Sequence, residues 1–342
     1  MENPAGSASE AHDLIEPPHL RTTNGRKRLI GVEIEFANLD SRQAAQLVRK
    51  RFKGQVQEQD PHRFAVLGTE FGDFTVELDW RYVHGSKSSK EGDEPNRDRL
   101  PEKTVTDTLE REFYTTIGDI GRLWVPVEIV APPVPISRLP ELDVIVQDLR
   151  TAGAQGTDEG LLFAFATQLN PEVPSLEHES ILAHLQAFLL LSDRLRKEID
   201  LDVKRRLLPF IDPFPRSYVE KVVDPEYRPS REQLIDDYLE ANPTRNRELD
   251  LLPLFSELDP DRVRARIDDP LIKSRPTFHY RLPDTRLRDP GWGLVTEWNR
   301  WVRVERLAAD RDRLRAASEE YLARSTGWLP QEWIDAIGRW FR

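Results

Sequence analysis

Two short stretches place acids on alternate residues: Glu33 and Glu35 in Gly31-Val-Glu-Ile-Glu-Phe36, and Glu77 and Asp79 in Phe74-Thr-Val-Glu-Leu-Asp79. In a strand, residues two apart leave the same face about 7 Å from one another. Val32, Ile34 and Phe36 fall opposite the first pair, and Phe74, Val76 and Leu78 opposite the second. Each stretch therefore predicts a strand with one apolar face to bury and one acidic face to leave accessible. Strands of parallel sheets are usually buried on both sides. The pattern instead predicts an antiparallel sheet covered by helices on one face, an α+β layout.

Other segments fill in this plan. Arg63 to Leu67, Trp124 to Ala131, Leu161 to Asn170 and Thr277 to Leu282 read as further strands, with the second acidic strand running from Phe74 to Tyr82. Asp40 or Ser41 can cap a helix over Arg42 to Phe52. Helices are also predicted from Val105 into Ile120, over Pro140 to Arg150 and over Glu177 to Ile199. More follow near Arg231 to Ala241, from Leu294 with a break near Asp310, and over Pro330 to Trp340, so the C-terminal half is mostly helical. Gly85 to Arg99 has the composition of a mobile loop, and Leu208 to Pro229 that of a Pro-rich connection. Residues 1–24 are polar and read as a disordered tail, leaving 25–342 as a single catalytic domain.

Glu128, on a third predicted strand, joins the two acidic pairs as a candidate member of one cluster. Two like charges 5 Å apart repel by about 3 kcal/mol at an effective dielectric near 20. Divalent cations relieve that repulsion; an all-oxygen ligand set favours magnesium, manganese or calcium, and two such ions side by side suit phosphoryl chemistry. The competing reading is that each acidic face is simply solvated. Positive charge is supplied by Lys273-Ser-Arg-Pro-Thr-Phe-His-Tyr-Arg281, where Arg281 shares a strand face with His279 and Arg275 lies just upstream. Arginine holds phosphate or carboxylate oxygens with two parallel hydrogen bonds. Surface ion pairing is the alternative for the arginines, and a buried structural role for His279. Trp298 and Trp301 read as core anchors, with Asn299 and Glu305 as supports behind the site.

Composition excludes several classes. The 342-residue chain has no cysteine, which removes disulfides, zinc–thiolate sites and thiol catalysis. Its formal net charge of -11, with acids interleaved among the arginines, disfavours a nucleic-acid partner. No run of about 18 apolar residues predicts a membrane span, and no signal-like N-terminal stretch is present, so the cytoplasm is the expected compartment.

The ordered set of motifs resembles the putative amidoligase family, carboxylate–amine ligases related to glutamine synthetase and glutamate–cysteine ligase. The likeness is carried by Gly31 to Phe36, Phe74 to Asp79, Val127-Glu-Ile-Val-Ala-Pro-Pro133 and Leu169-Asn-Pro-Glu172. Phe214-Pro-Arg-Ser-Tyr218, Arg275 to Arg281 and Trp298-Asn-Arg-Trp301 add to it. The resemblance implies a glutamine-synthetase-like curved antiparallel sheet that holds ATP and Mg2+ (or Mn2+). It implies an activity that joins a small-molecule or peptide carboxylate to an amine through an acyl phosphate. It makes Glu33, Glu35 and Glu128 metal ligands, and Glu77 and Asp79 ligands or amine-orienting groups. Arg275, His279 and Arg281 would hold the nucleotide phosphates, the two arginines neutralising the transferring phosphoryl group. Where the pattern commonly has a metal-binding histidine, this chain has Gln168, a neutral oxygen donor. That departure keeps a catalytically lapsed binding protein open as an alternative. Another metal-dependent phosphoryl-transfer or hydrolytic enzyme is a third reading.

Overall fold

In the computed structural model, which describes residues 13–78, 126–157, 165–199 and 212–325, the acidic strands are drawn into one sheet. Its strands are β1 (Leu29–Phe36), β2 (Gln55–Asp60), β3 (Arg63–Thr69), β4 (Gly72–Leu78), β5 (Val127–Pro135), β6 (Thr167–Pro171), β7 (Leu249–Asp250) and β8 (His279–Tyr280). They lie in the order β2-β3-β4-β5-β1-β6-β8-β7, and every pairing is antiparallel. The α+β, antiparallel expectation is met.

Helices pack on the apolar face. They are α1 (Ser41–Phe52), α2 (Leu139–Thr151), α3 (His178–Ile199), α4 (Arg216–Val223), α5 (Arg231–Ala241), α6 (Leu252–Leu258), α7 (Pro260–Arg264), α8 (Leu294–Ala309) and α9 (Arg311–Ser325). Val32, Ile34, Phe36, Phe74, Val76 and Ile129 share a core with Ala45 and Val48 of α1, Leu142 and Ile145 of α2, and Trp298 and Trp301 of α8. Burying each large apolar side chain of this kind stabilises by roughly 1.5–3 kcal/mol. Both tryptophans are 0% exposed, as core anchors should be.

Local chemistry sets the element ends. Asp40 accepts from the Gln43 N–H while the Gln43 side chain accepts from the Asp40 N–H, a capping box that starts α1. At the end of α1, Gly54 has φ +88°, and a Cβ there would meet the Leu67 carbonyl oxygen at 2.6 Å, so only glycine fits the turn into β2. Asp310 separates α8 from α9 in extended conformation and accepts from the Arg313 N–H at 3.0 Å.

Several expectations need adjusting. β5 runs through Pro132-Pro133 to Pro135 instead of ending before them. Its partners on β1 step from Ala131 opposite Val32 to Val134 opposite Ile30, so a bulge takes up the two prolines. The Pro-rich connection contains α4, begun at Pro215. Residues 13–24 are not a loose tail. The Ile15 N–H donates to Asn299 at 2.8 Å, Trp298 Nε1 donates to the Ile15 carbonyl at 3.0 Å, and Arg28 Nη1 donates to the His19 carbonyl at 2.7 Å. The helices predicted over Val105 to Ile120 and Pro330 to Trp340, and the loop Gly85 to Arg99, lie outside the described residues, as do the start of the Leu161 strand and residues 79–82. No described helix is long and apolar enough to cross a membrane.

Candidate active site

Antiparallel register lines up acids across three strands. Glu77 of β4 stands opposite Glu128 of β5, and Glu128 stands opposite Glu35 of β1. Residues directly opposite one another have Cβ atoms about 4.5–5.5 Å apart, where like charges destabilise a sheet. One row along, Thr75, Val130, Glu33 and Gln168 are successive cross-strand partners, and in the next row Gly31 faces Asn170. The acid-bearing strands therefore lead through Gln168 on β6 to His279 on β8, with Arg281 just beyond it.

A cavity of about 520 Å³ opens on this face. Glu33, Glu77 and Glu128 line it together with Arg63, Arg245, Lys273, Arg275 and Arg281, and Gln168 and His279 complete the polar wall. Seven residues singled out from the sequence thus meet in one place: Glu33, Glu77, Glu128, Gln168, Arg275, His279 and Arg281. Asp79 lies outside the described residues. Glu35 is only 7% exposed and does not line the cavity, its Oε2 accepting from the Ala166 N–H at 2.9 Å.

The basic side is held by acids of its own. Arg281 Nη2 is 3.3 Å from Asp250, which is fully buried and accepts from the Leu252 N–H at 2.9 Å. Burial pushes the Asp250 carboxyl up, against the lowering effect of Arg281. Arg245 lies 3.7 Å from Asp269, and Arg63 3.1 Å from Glu77. Burial, then the charges of Arg281, Arg275 and Arg245, hold His279 well below its ordinary value of 6.5, so its ring is neutral near pH 7. Its Nδ1 lies 3.1 Å from Gln168 Nε2, which also donates to Asn170 Oδ1 at 2.8 Å. Asn170 Nδ2 donates to Glu33 Oε1 at 2.9 Å.

The donor set suits a divalent cation in chemistry: several carboxylates, in register and partly buried, with only oxygen to offer. Their ligand atoms nonetheless stand wider apart than a closed coordination shell. Among the described residues, the trio whose ligand atoms lie within 4.8 Å of one another is Glu177, His178 and Glu179 at the start of α3. Those residues are consecutive, do not line the cavity, and are joined by a surface contact of 3.2 Å between His178 and Glu179. Gln168 commits its Nε2 to two neighbours, so Oε1 alone remains for a cation. Asn299 and Glu305 do not back the site. Asn299 fastens residues 13–15, and Glu305 pairs with Arg28.

A second cavity of about 520 Å³ adjoins the first and shares Glu33, Thr75, Val130 and Arg275 with it. Its other walls are less charged and include Gly31, Pro132, Pro133, Asn170 and Thr277, with Asp73 among them.

Sequence reasoning missed Arg63 and Arg245 as lining residues, whereas Lys273 opens the cationic segment read from the sequence. The Arg63 position was readable in principle. A hairpin turning at residues 69–72 sets Arg63 opposite Glu77. Arg245 follows α5 in a segment with no periodicity, and only the tertiary fold brings it to β8.

A family described as putative amidoligase enzyme matches residues 26–303 of this chain. No curated protein and no solved structure matches it.

Proposed function

This chain belongs to the putative amidoligase family, and from that premise we propose that it is an ATP-dependent carboxylate–amine ligase, Mg2+ dependent and acting on small-molecule or peptide substrates in the cytoplasm. The observation that carries the reading is one cavity bearing acids from β4, β5 and β1 together with cations from 273–281. Such a ligase must hold a polyphosphate and divalent cations side by side, which takes both signs of charge in one place. The glutamine-synthetase-like relationship belongs to the same reading.

In this reaction class a substrate carboxylate oxygen attacks the γ-phosphorus and ADP leaves. An amine then attacks the acyl carbon, and inorganic phosphate departs. Glu33, Glu77 and Glu128 would hold the divalent cation, which supplies charge neutralisation between the phosphate oxygens. Lys273, Arg275 and Arg281 face the same space and offset charge on the transferring group, where preorganised cations act most strongly. Arg281 is pre-positioned by Asp250, so little reorganisation is needed at the moment of transfer. The adjoining cavity, reached past Glu33, gives the second substrate a less charged compartment. A carboxylate at that junction orients an ammonium group and accepts its proton as the amide forms.

ADP release is the test, measured with MgATP across pooled carboxylates and amines. The reading expects release that requires both a carboxylate and an amine. Nucleotide hydrolysis indifferent to the amine points instead to a hydrolase, and absence of nucleotide binding to a lapsed enzyme.

A further inference from the structure

Gln168 stands opposite Glu33 on the neighbouring strand, and its surroundings give it a definite task. A carboxylate oxygen can only accept a hydrogen bond, so Asn170 must turn Nδ2 toward Glu33 Oε1, 2.9 Å away. The Asn170 Oδ1 then faces Gln168 and can only accept, which requires Gln168 to present Nε2, at 2.8 Å. The second hydrogen of that NH2 group is directed at His279 Nδ1, at 3.1 Å, so Nδ1 must accept in turn. A neutral imidazole that accepts at Nδ1 carries its proton on Nε2. That Nε2 is buried and meets no acceptor among the described residues, while its residue is 93% buried in the wall it shares with Arg245, Arg275 and Arg281. A buried donor left without an acceptor is costly, and a wall of cations selects what can satisfy it.

We propose that Gln168 is a positioning residue: through it, Glu33 fixes His279 as a neutral Nε2–H donor held for a phosphoryl oxygen. Glutamine suits the post because one NH2 group serves two acceptors at once, which neither a carboxylate nor a single imidazole nitrogen does. The tautomer follows from hydrogen-bond geometry alone, whereas the identity of the anion rests on the ligase reading.

Nitrogen NMR of the full chain, labelled with 15N-histidine and assigned with His279→Asn, tests it without turnover. The wild-type protein near pH 7 should show His279 with unprotonated Nδ1 and protonated Nε2. In Gln168→Glu the carboxylate accepts from Nδ1, and the proton should move there. A wild-type ring protonated on Nδ1 overturns the relay, and that spectrum decides even where the variant does not fold. Inorganic phosphate, added to wild-type protein, should shift the Nε2–H resonance. Its binding should weaken at least about tenfold in Gln168→Glu, the loss expected for a hydrogen bond to a charged group. No shift with phosphate, or a shift with acetate alone, overturns the phosphoryl assignment. A protein with the stated tautomer and phosphate response but no amine-dependent ADP release keeps the relay and discards the ligase.

Discussion

Buried acids serve two different ends in this protein, and they sit along and beside the same strand. Arg28, just ahead of β1, is 1% exposed and meets both oxygens of Glu305 of α8, at 2.8 and 2.7 Å. Its Nε donates to the Glu172 carbonyl at 2.8 Å, and Trp301 Nε1 donates to Glu305 at 2.8 Å. Burial alone would push the Glu305 carboxyl up, but the Arg28 hydrogen bonds and charge bring it below its ordinary range. Every charge there has its complement inside the fold, so the pair is architecture. A few residues along β1, Glu35 faces Glu128 and Glu128 faces Glu77, three acids in one register, with Arg63 3.1 Å from Glu77 at the end of the row. The difference teaches how to sort such charge: an acid closed off with its cation inside the core holds elements together, while acids lined up in register beside an open cavity carry a like-charge repulsion that a bound cation would relieve.

Removing Arg28 breaks the first arrangement outright. Arg28→Ala strands a buried carboxylate and should cost about 3–5 kcal/mol of stability in denaturant melts, with or without Mg2+. In the acidic row the sign reverses. Glu128→Gln should raise the stability of the metal-free protein by up to about 3 kcal/mol, and remove any gain from Mg2+. A loss of stability in the metal-free variant would mean that Glu128 is architectural like Glu305. MgATP at 100 times its dissociation constant should stabilise the wild type by roughly 2.7 kcal/mol, and Glu128→Gln by far less.

The smallest expected effect is a pH dependence on the architectural side. His184 of α3 is buried, stacks on Phe278, and has its Nδ1 2.7 Å from the Ser180 carbonyl. Burial holds its pKa below the ordinary 6.5, against the raising influence of Glu305. The unfolded chain therefore takes up a proton that the folded one refuses. Stability is lost as pH falls below about 6.5 toward the lowered native value, by at most about 1.4 kcal/mol per pH unit from this group. His184→Gln should flatten that slope in melts taken without metal, and an unchanged slope would assign the acid sensitivity elsewhere.

The parts of the site that were legible in the sequence are those set by strand alternation. Glu33, Glu77 and Glu128 could be placed on one face because residues two apart share a side and apolar residues fill the other. The cap at Asp40 and the break at Asp310 were legible for equally local reasons. β2, with the sequence Gln55-Val-Gln-Glu-Gln-Asp60, was not: an edge strand that buries little has no apolar alternation to read. The role of residues 13–24 was hidden because their hydrogen bonds go to Asn299 and Trp298, far along the chain. Glu305 was misplaced behind the site for the same reason, since nothing local to α8 reveals Arg28 as its partner. Gln168 was legible as a departure from a pattern. Its work became readable only when Asn170 and His279 were seen on either side of it.

Mn2+ binding to the full chain, followed by the loss of the free-ion paramagnetic resonance signal, tests the proposal that the acidic row holds a cation most directly. The account predicts saturable binding to the wild-type protein that Glu128→Gln loses. A wild-type chain that binds no Mn2+, or a Glu128→Gln chain that binds it equally well, would contradict it.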